Sequence, residues 1–313
     1  LRAEYSTKET RLVGKNSASR FVFCPTSYKD AGKELRLELT TYTSNYSGVV
    51  NEIYSGDKSD IWEYIFESYG LETIIAFFIL FAGIITILFS IALGIVYDRK
   101  FDMEYLGWCM LMGSIWMLGE SKFRQLLVPH SSALATLCFI ILMLSPLPVL
   151  FYADQVQHRK YRKLYLPIGW LAIFNFIIST ILHLTGIADY IETLFVSHTI
   201  LLLTVFVVLF TFALDIKKEK KHRNLLAFSG LLAATISVMI EGISTYFVVS
   251  LSGIFVGIGM MILFSLNVLR TAENIHMIEL QRQKKELAKR KRQMEKVSLQ
   301  MIQTLSTTIE AKD

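Results

Sequence analysis

The chain has 313 residues, 53% of them apolar and 19% charged, and its formal net charge is +5. Soluble domains carry about a quarter charged residues, and apolar stretches of 18 residues or more exclude an ordinary globular protein in favour of a membrane protein. Cys24, Cys109 and Cys138 form no CxxC pair, and two of them fall inside apolar stretches, so neither a disulfide framework nor a metal knuckle is encoded.

Residues 1–70 read as an extracytoplasmic β segment. "RFVFC" (Arg20–Cys24) and "ELRLELTTYT" (Glu34–Thr43) alternate apolar and polar residues, and "VVNEIY" (Val49–Tyr54) is a third candidate strand. Pro25, Gly32, Gly48 and Gly56 mark the turns between them. Three or four strands barely make an independent domain, so the segment is expected to be incomplete. The chain opens without Met and has no signal peptide ahead of a segment that should be exported.

Residues 71–270 read as a seven-helix membrane bundle. The candidate spans are Glu72–Tyr97, Glu104–Gly119, Ser131–Tyr152, Tyr165–His183, Thr193–Leu214, Leu225–Ile243 and Tyr246–Leu269, each close to the ~20 residues a helix needs to cross the hydrocarbon. Alternate loops at Asp98–Met103, Ala153–Leu164 and Asp215–Asn224 carry eleven Lys and Arg, against two, Lys122 and Arg124, on the opposite side. The positive loops are therefore cytoplasmic, the N-terminus outside and the C-terminus inside. Trp62, Tyr64, Phe66 and Tyr69 supply an aromatic anchor at the outer interface.

Four ionisable residues lie near the outer ends of the spans: Glu120, His183, His198 and Glu241. They admit a polar ligand pocket, a pH-responsive cluster, a metal site, or four unrelated groups reaching interfacial water. Mid-membrane positions are almost free of charge, and no internal repeat or HExxH run occurs. Both facts argue against an ion-coupled transporter and an intramembrane hydrolase. In "SPLP", Pro146 and Pro148 make either a hinge or a fixed kink. Gly253 and Gly257 form a GxxxG that serves internal packing or dimerisation.

Residues 271–303 contain no Gly or Pro and read as a cytoplasmic coiled-coil linker. Leu280, Leu287, Met294 and Met301 recur every seven residues, an apolar seam for a homodimer. Lys284 and Lys291 at the companion position make the seam weak and leave a lone solvated helix as the alternative. The basic run Arg282–Lys296, with eight Lys or Arg against two Glu, reads as a solvated face obeying the charge bias rather than a nucleic-acid site.

The third span ends "FYADQV" and the seventh "FSLNVLR", without the motifs of G-protein-coupled receptors, and no Lys in the seventh span offers a retinal site. The layout instead resembles the bacterial seven-transmembrane receptors with diverse intracellular signalling modules, and "ELRLELTTYTSNYSGVVNEIYSGD" resembles the closing strands of their jelly roll. The final "LSTTIEAKD", within residues 304–313, resembles the first helix of HD-GYP cyclic-di-GMP phosphodiesterase domains. The resemblance implies a multi-pass protein of the bacterial inner membrane that passes an extracytoplasmic stimulus, carbohydrate-like by fold analogy, to an output domain. The iron- or manganese-binding His and Asp residues of such a domain are expected beyond Asp313. This chain is expected to hold no cofactor and to catalyse nothing itself. A diguanylate cyclase or histidine kinase output is the alternative.

Overall fold

The first membrane helix begins well before the apolar stretch does. In the computed structural model, which describes residues 21–34, 36–38, 53–98, 101–128, 131–219, 222–246 and 253–310, α1 runs over Lys58–Tyr97. Trp62, Tyr64, Phe66 and Tyr69 therefore sit on a helix, and the N-terminal segment gives way to helix at Lys58 rather than at residue 71. Aromatic contacts explain the early start. Phe66 packs on Phe123 at 4.9 Å between ring centroids, and Phe23 stacks on Trp62 at 5.2 Å. These contacts stabilise a first stretch of helix that its charges alone would not hold.

Among the described residues there is no strand. Phe21–Cys24 is irregular chain, and a single 3-10 turn occupies Tyr28–Asp30. Most of the three candidate strands lies outside the described residues.

Among the described residues eight further helices follow: α2 (Met103–Glu120), α3 (Arg124–Leu127), α4 (Ser131–Leu144), α5 (Pro146–Val156), α6 (Arg162–Thr185), α7 (Tyr190–Glu219), α8 (His222–Tyr246) and α9 (Ile254–Glu310). Among the described residues five segments are long and apolar enough to cross a membrane: Lys58–Tyr97, Ala133–Val156, Arg162–Thr185, Tyr190–Lys217 and Ile254–Ile302. Leu225–Glu241 is a shorter apolar helix, and α2 is diluted by Glu104, Glu120 and three glycines.

Pro146 begins α5 directly after Ser145, whose backbone stays in the helical region and whose N–H still reaches the Ile141 carbonyl at 2.8 Å. Both prolines are buried. Ala133–Val156 is thus one path of two helices joined by a local break, where proline withholds its donors.

The bundle carries large apolar side chains on its outward faces as well as in its interior. α1 exposes Ile74, Phe78, Phe81, Ile85 and Leu88, while its inward face mixes the small or polar Ala76, Gly83, Thr86 and Ser90 with Ile65 and Ile79. That inward face lies along α2. A Cβ on Gly107 would come within 2.9 Å of the Gly83 carbonyl oxygen, so two glycines allow the backbones to touch. The interior is completed by Ile79, Leu106, Met110, Leu150, Val208, Phe212, Leu231 and Leu263. One interior polar pair joins α6 to α7, where Asn175 Nδ2 donates to Ser197 Oγ at 2.9 Å.

The chain divides into two compact units, Leu1–Leu266 and Asn267–Asp313, with the division inside α9. Along the second unit Leu287, Met294 and Met301 are exposed, at 67, 74 and 60%, and Leu280 is 36% exposed. Met294, Val297 and Met301 line one shallow face of the helix. The described part of this unit is helix throughout.

Candidate functional site

α9 begins at Ile254 rather than at the expected Tyr246, and the reason is a carboxylate. Glu241, near the end of α8, accepts hydrogen bonds from the backbone N–H of Gly253 at 2.6 Å and of Phe255 at 3.3 Å. Its negative charge sits on donors left open at the first turn of α9, where the helix dipole favours an anion. Gly253 holds φ at +89°, a left-handed conformation that glycine adopts without steric cost. Any Cβ there would lie 3.2 Å from Met117 Cε and 3.5 Å from Glu72 Cγ.

A second buried carboxylate, Glu72 of α1, thus lies beside the first turn of α9, and Glu72 and Glu241 are 4 and 5% exposed. Four residues on, a Cβ at Gly257 would meet Ile75 Cγ2 at 2.4 Å. The GxxxG pair therefore seats α9 against α1 within this chain.

The four residues singled out from sequence have four separate settings. Glu241 clamps α9. His183 is 2% exposed, its ring stacked on Tyr190 at 4.2 Å, with Nδ1 3.2 Å from Asp189 Oδ1. That approach is an ion-pair distance, but it is not aligned as a hydrogen bond. Asp189 in turn begins α7, donating its backbone N–H to Glu192 Oε2 at 2.8 Å, one arm of a capping box. Glu120 ends α2 with Lys122 and Arg124 as nearby charges. His198 faces outward from α7. Among the described residues, no group of three or more His, Cys, Asp or Glu side chains gathers as metal ligands.

Arg124, which follows Lys122 after α2, is 8% exposed and donates from Nη1 to the Gly119 carbonyl at 3.0 Å. It satisfies the C-terminal end of α2. Beside it the Thr73 and Ser121 hydroxyls are 2.8 Å apart, tying α1 to α2.

At the opposite end a polar cluster lies where sequence reading counted only positive charges. Lys160 Nζ is 2.5 Å from Asp215 Oδ1, and Tyr161 Oη donates to the same oxygen at 3.0 Å. Tyr165 bonds Gln157, and its hydroxyl is 2.5 Å from Thr211 Oγ1. These bonds tie the α5–α6 connection to the last turns of α7. His158 and Arg159, at φ 53 and 62°, turn the chain so that Lys160 reaches inward. Burial, and then the bond to Asp215, push the Tyr161 phenol above its usual range. Asp215 ends an apolar run, and nothing in its spacing signals this role.

No protein-family model, curated protein or solved structure matches the chain. Fold and site together define a mainly helical protein with the length and hydropathy of a membrane protein, in which a buried carboxylate fixes the start of its longest described helix.

Proposed function

We propose that this chain is the receptor and transmission part of a bacterial signalling protein of the inner membrane. It crosses the membrane seven times, with the N-terminus outside and the C-terminus in the cytoplasm. An extracytoplasmic stimulus favours one packing of the bundle over another, and α9 carries the difference inward. The output is a cyclic-di-GMP phosphodiesterase of the HD-GYP type, whose metal centre would use iron or manganese. A diguanylate cyclase or histidine kinase is the competing output.

The observation that carries this reading is α9 itself. It is one helix over Ile254–Glu310, apolar at its start and charged later, with an apolar seam at Leu280, Leu287, Met294 and Met301. Its first turn is gripped by Glu241 and Gly253, so a shift of α8 or α1 acts directly on it. A helix held in this way couples an outer event to a cytoplasmic partner without needing a pore.

The test is sidedness. In a version lacking the native cysteines, a Cys at Lys217 and one at Ile187 should label with an impermeant thiol reagent from opposite faces, Ile187 from outside. Labelling of position 217 from outside overturns the proposal. For the linker, replacing Leu287 and Met294 together by Lys should lower crosslinking between copies. An unchanged yield rejects the seam as the dimer contact.

A further inference from the structure

The α5–α6 corner holds four cations, Arg159, Lys160, Arg162 and Lys163, which the structure sorts into two groups. Lys160 turns inward to Asp215. Arg159, Arg162 and Lys163 are exposed, and Asp154 is the carboxylate close enough to feel both arginines. Three outward cations face one partly buried acid.

The surface below these cations is shaped by α6. From Lys163, the exposed positions Leu166, Trp170, Phe174, Ile177 and Ile181 follow at helical spacing, one stripe on one face. The stripe extends about 27 Å from Lys163 to Ile181 at 1.5 Å per residue, close to the thickness of the hydrocarbon. Trp170 lies about 10 Å along the helix from Lys163, near the level of acyl carbonyls where indole rings settle. The Lys163 side chain leans toward the helix N-terminus and away from the apolar stripe, as snorkelling requires.

We infer that this corner is a docking surface for an anionic phospholipid. The phosphate is held by Arg159, Arg162 and Lys163, and one acyl chain lies along Leu166, Trp170 and Phe174. Charge complementarity selects this occupant: guanidinium groups bind phosphate through paired charge-assisted hydrogen bonds, and the surplus of cations disfavours a zwitterionic headgroup, which brings its own ammonium. Basic pockets beside membrane helices hold acidic headgroups in the same way. The Lys160–Asp215 bond keeps the fourth cation out of the lipid site and fixes the loop that presents the other three.

The experiment uses the full chain in nanodiscs of equal phosphatidylglycerol and phosphatidylcholine, followed by native mass spectrometry of co-retained lipid. The native chain is expected to retain phosphatidylglycerol at least about threefold over phosphatidylcholine. The triple variant Arg159→Gln, Arg162→Gln, Lys163→Gln should fall to near equality, with its helical circular dichroism unchanged. A tail variant, Lys284→Gln, Lys285→Gln, Lys289→Gln, should keep the preference. If the triple variant does not fold, Arg162→Gln and Lys163→Gln made singly should each lower the ratio. In a chain whose other tryptophans are Phe, brominated phosphatidylglycerol should quench Trp170 more than brominated phosphatidylcholine does. Equal retention by the native chain, or a preference that survives the triple or both single changes, or moves with the tail lysines instead, overturns the assignment.

Discussion

Removing the two partners of the Lys160–Asp215 bond should have unequal costs. Asp215 is 3% exposed at its side chain, whereas Lys160 is 38% exposed. In Asp215→Asn the amide oxygen still accepts from Tyr161, and the lysine swings into water. The loss is only charge assistance, about 1–2 kcal/mol. In Lys160→Met the carboxylate stays inside with the Tyr161 hydroxyl still donating to it, and a buried charge stripped of its counterion costs about 3–5 kcal/mol. The lost cation–π contact, with Nζ 5.5 Å from the Tyr161 ring centroid, adds about 0.5 kcal/mol. The double variant leaves no stranded charge, so it should return to about 1–2 kcal/mol, a coupling of at least about 2 kcal/mol in a double-mutant cycle. Equilibrium unfolding in mixed detergent micelles measures all four chains. Equal single costs, or a double variant equal to their sum, would refute the claim that the carboxylate is held by the lysine.

Three other sites give outcomes that can be read separately. Glu241→Gln keeps an acceptor but removes the charge at the α9 terminus. It should cost about 1 kcal/mol and speed hydrogen exchange at the Gly253 and Phe255 amides, and unchanged exchange would deny the clamp. Gly257→Ala places a methyl 2.4 Å from Ile75 Cγ2. It should destabilise by about 1–3 kcal/mol, and the loss should shrink when Ile75→Ala is added. Glu192→Ala removes the side-chain acceptor of the Asp189 N–H. It should cost about 1 kcal/mol in the same unfolding assay.

The helical, membrane-like class was legible from composition and hydropathy alone, because long apolar runs leave a backbone no partner but itself in lipid. The heptad at Leu280, Leu287, Met294 and Met301 was equally plain, since its spacing is a local property of one helix. Starts and ends were less so. α1 begins at Lys58 because Phe66 and Trp62 find rings on Phe123 and Phe23, contacts between residues some 40 to 60 positions apart. α9 begins at Ile254 because Glu241 reaches its open donors from another helix.

The same distinction separates the polar residues. Sequence singled out Glu241 and His183 as ionisable groups near helix ends, but their partners, Gly253 and Asp189, follow from how the chain turns back on itself. Arg124 and Lys160 looked like two more interfacial charges, yet each is folded inward onto an oxygen, Gly119 and Asp215 respectively. Charge sign and hydropathy are carried by each residue wherever it goes, so sequence determines them. Which cation faces a carboxylate and which faces the lipid headgroups depends on distances between helices, and only the tertiary structure decides it.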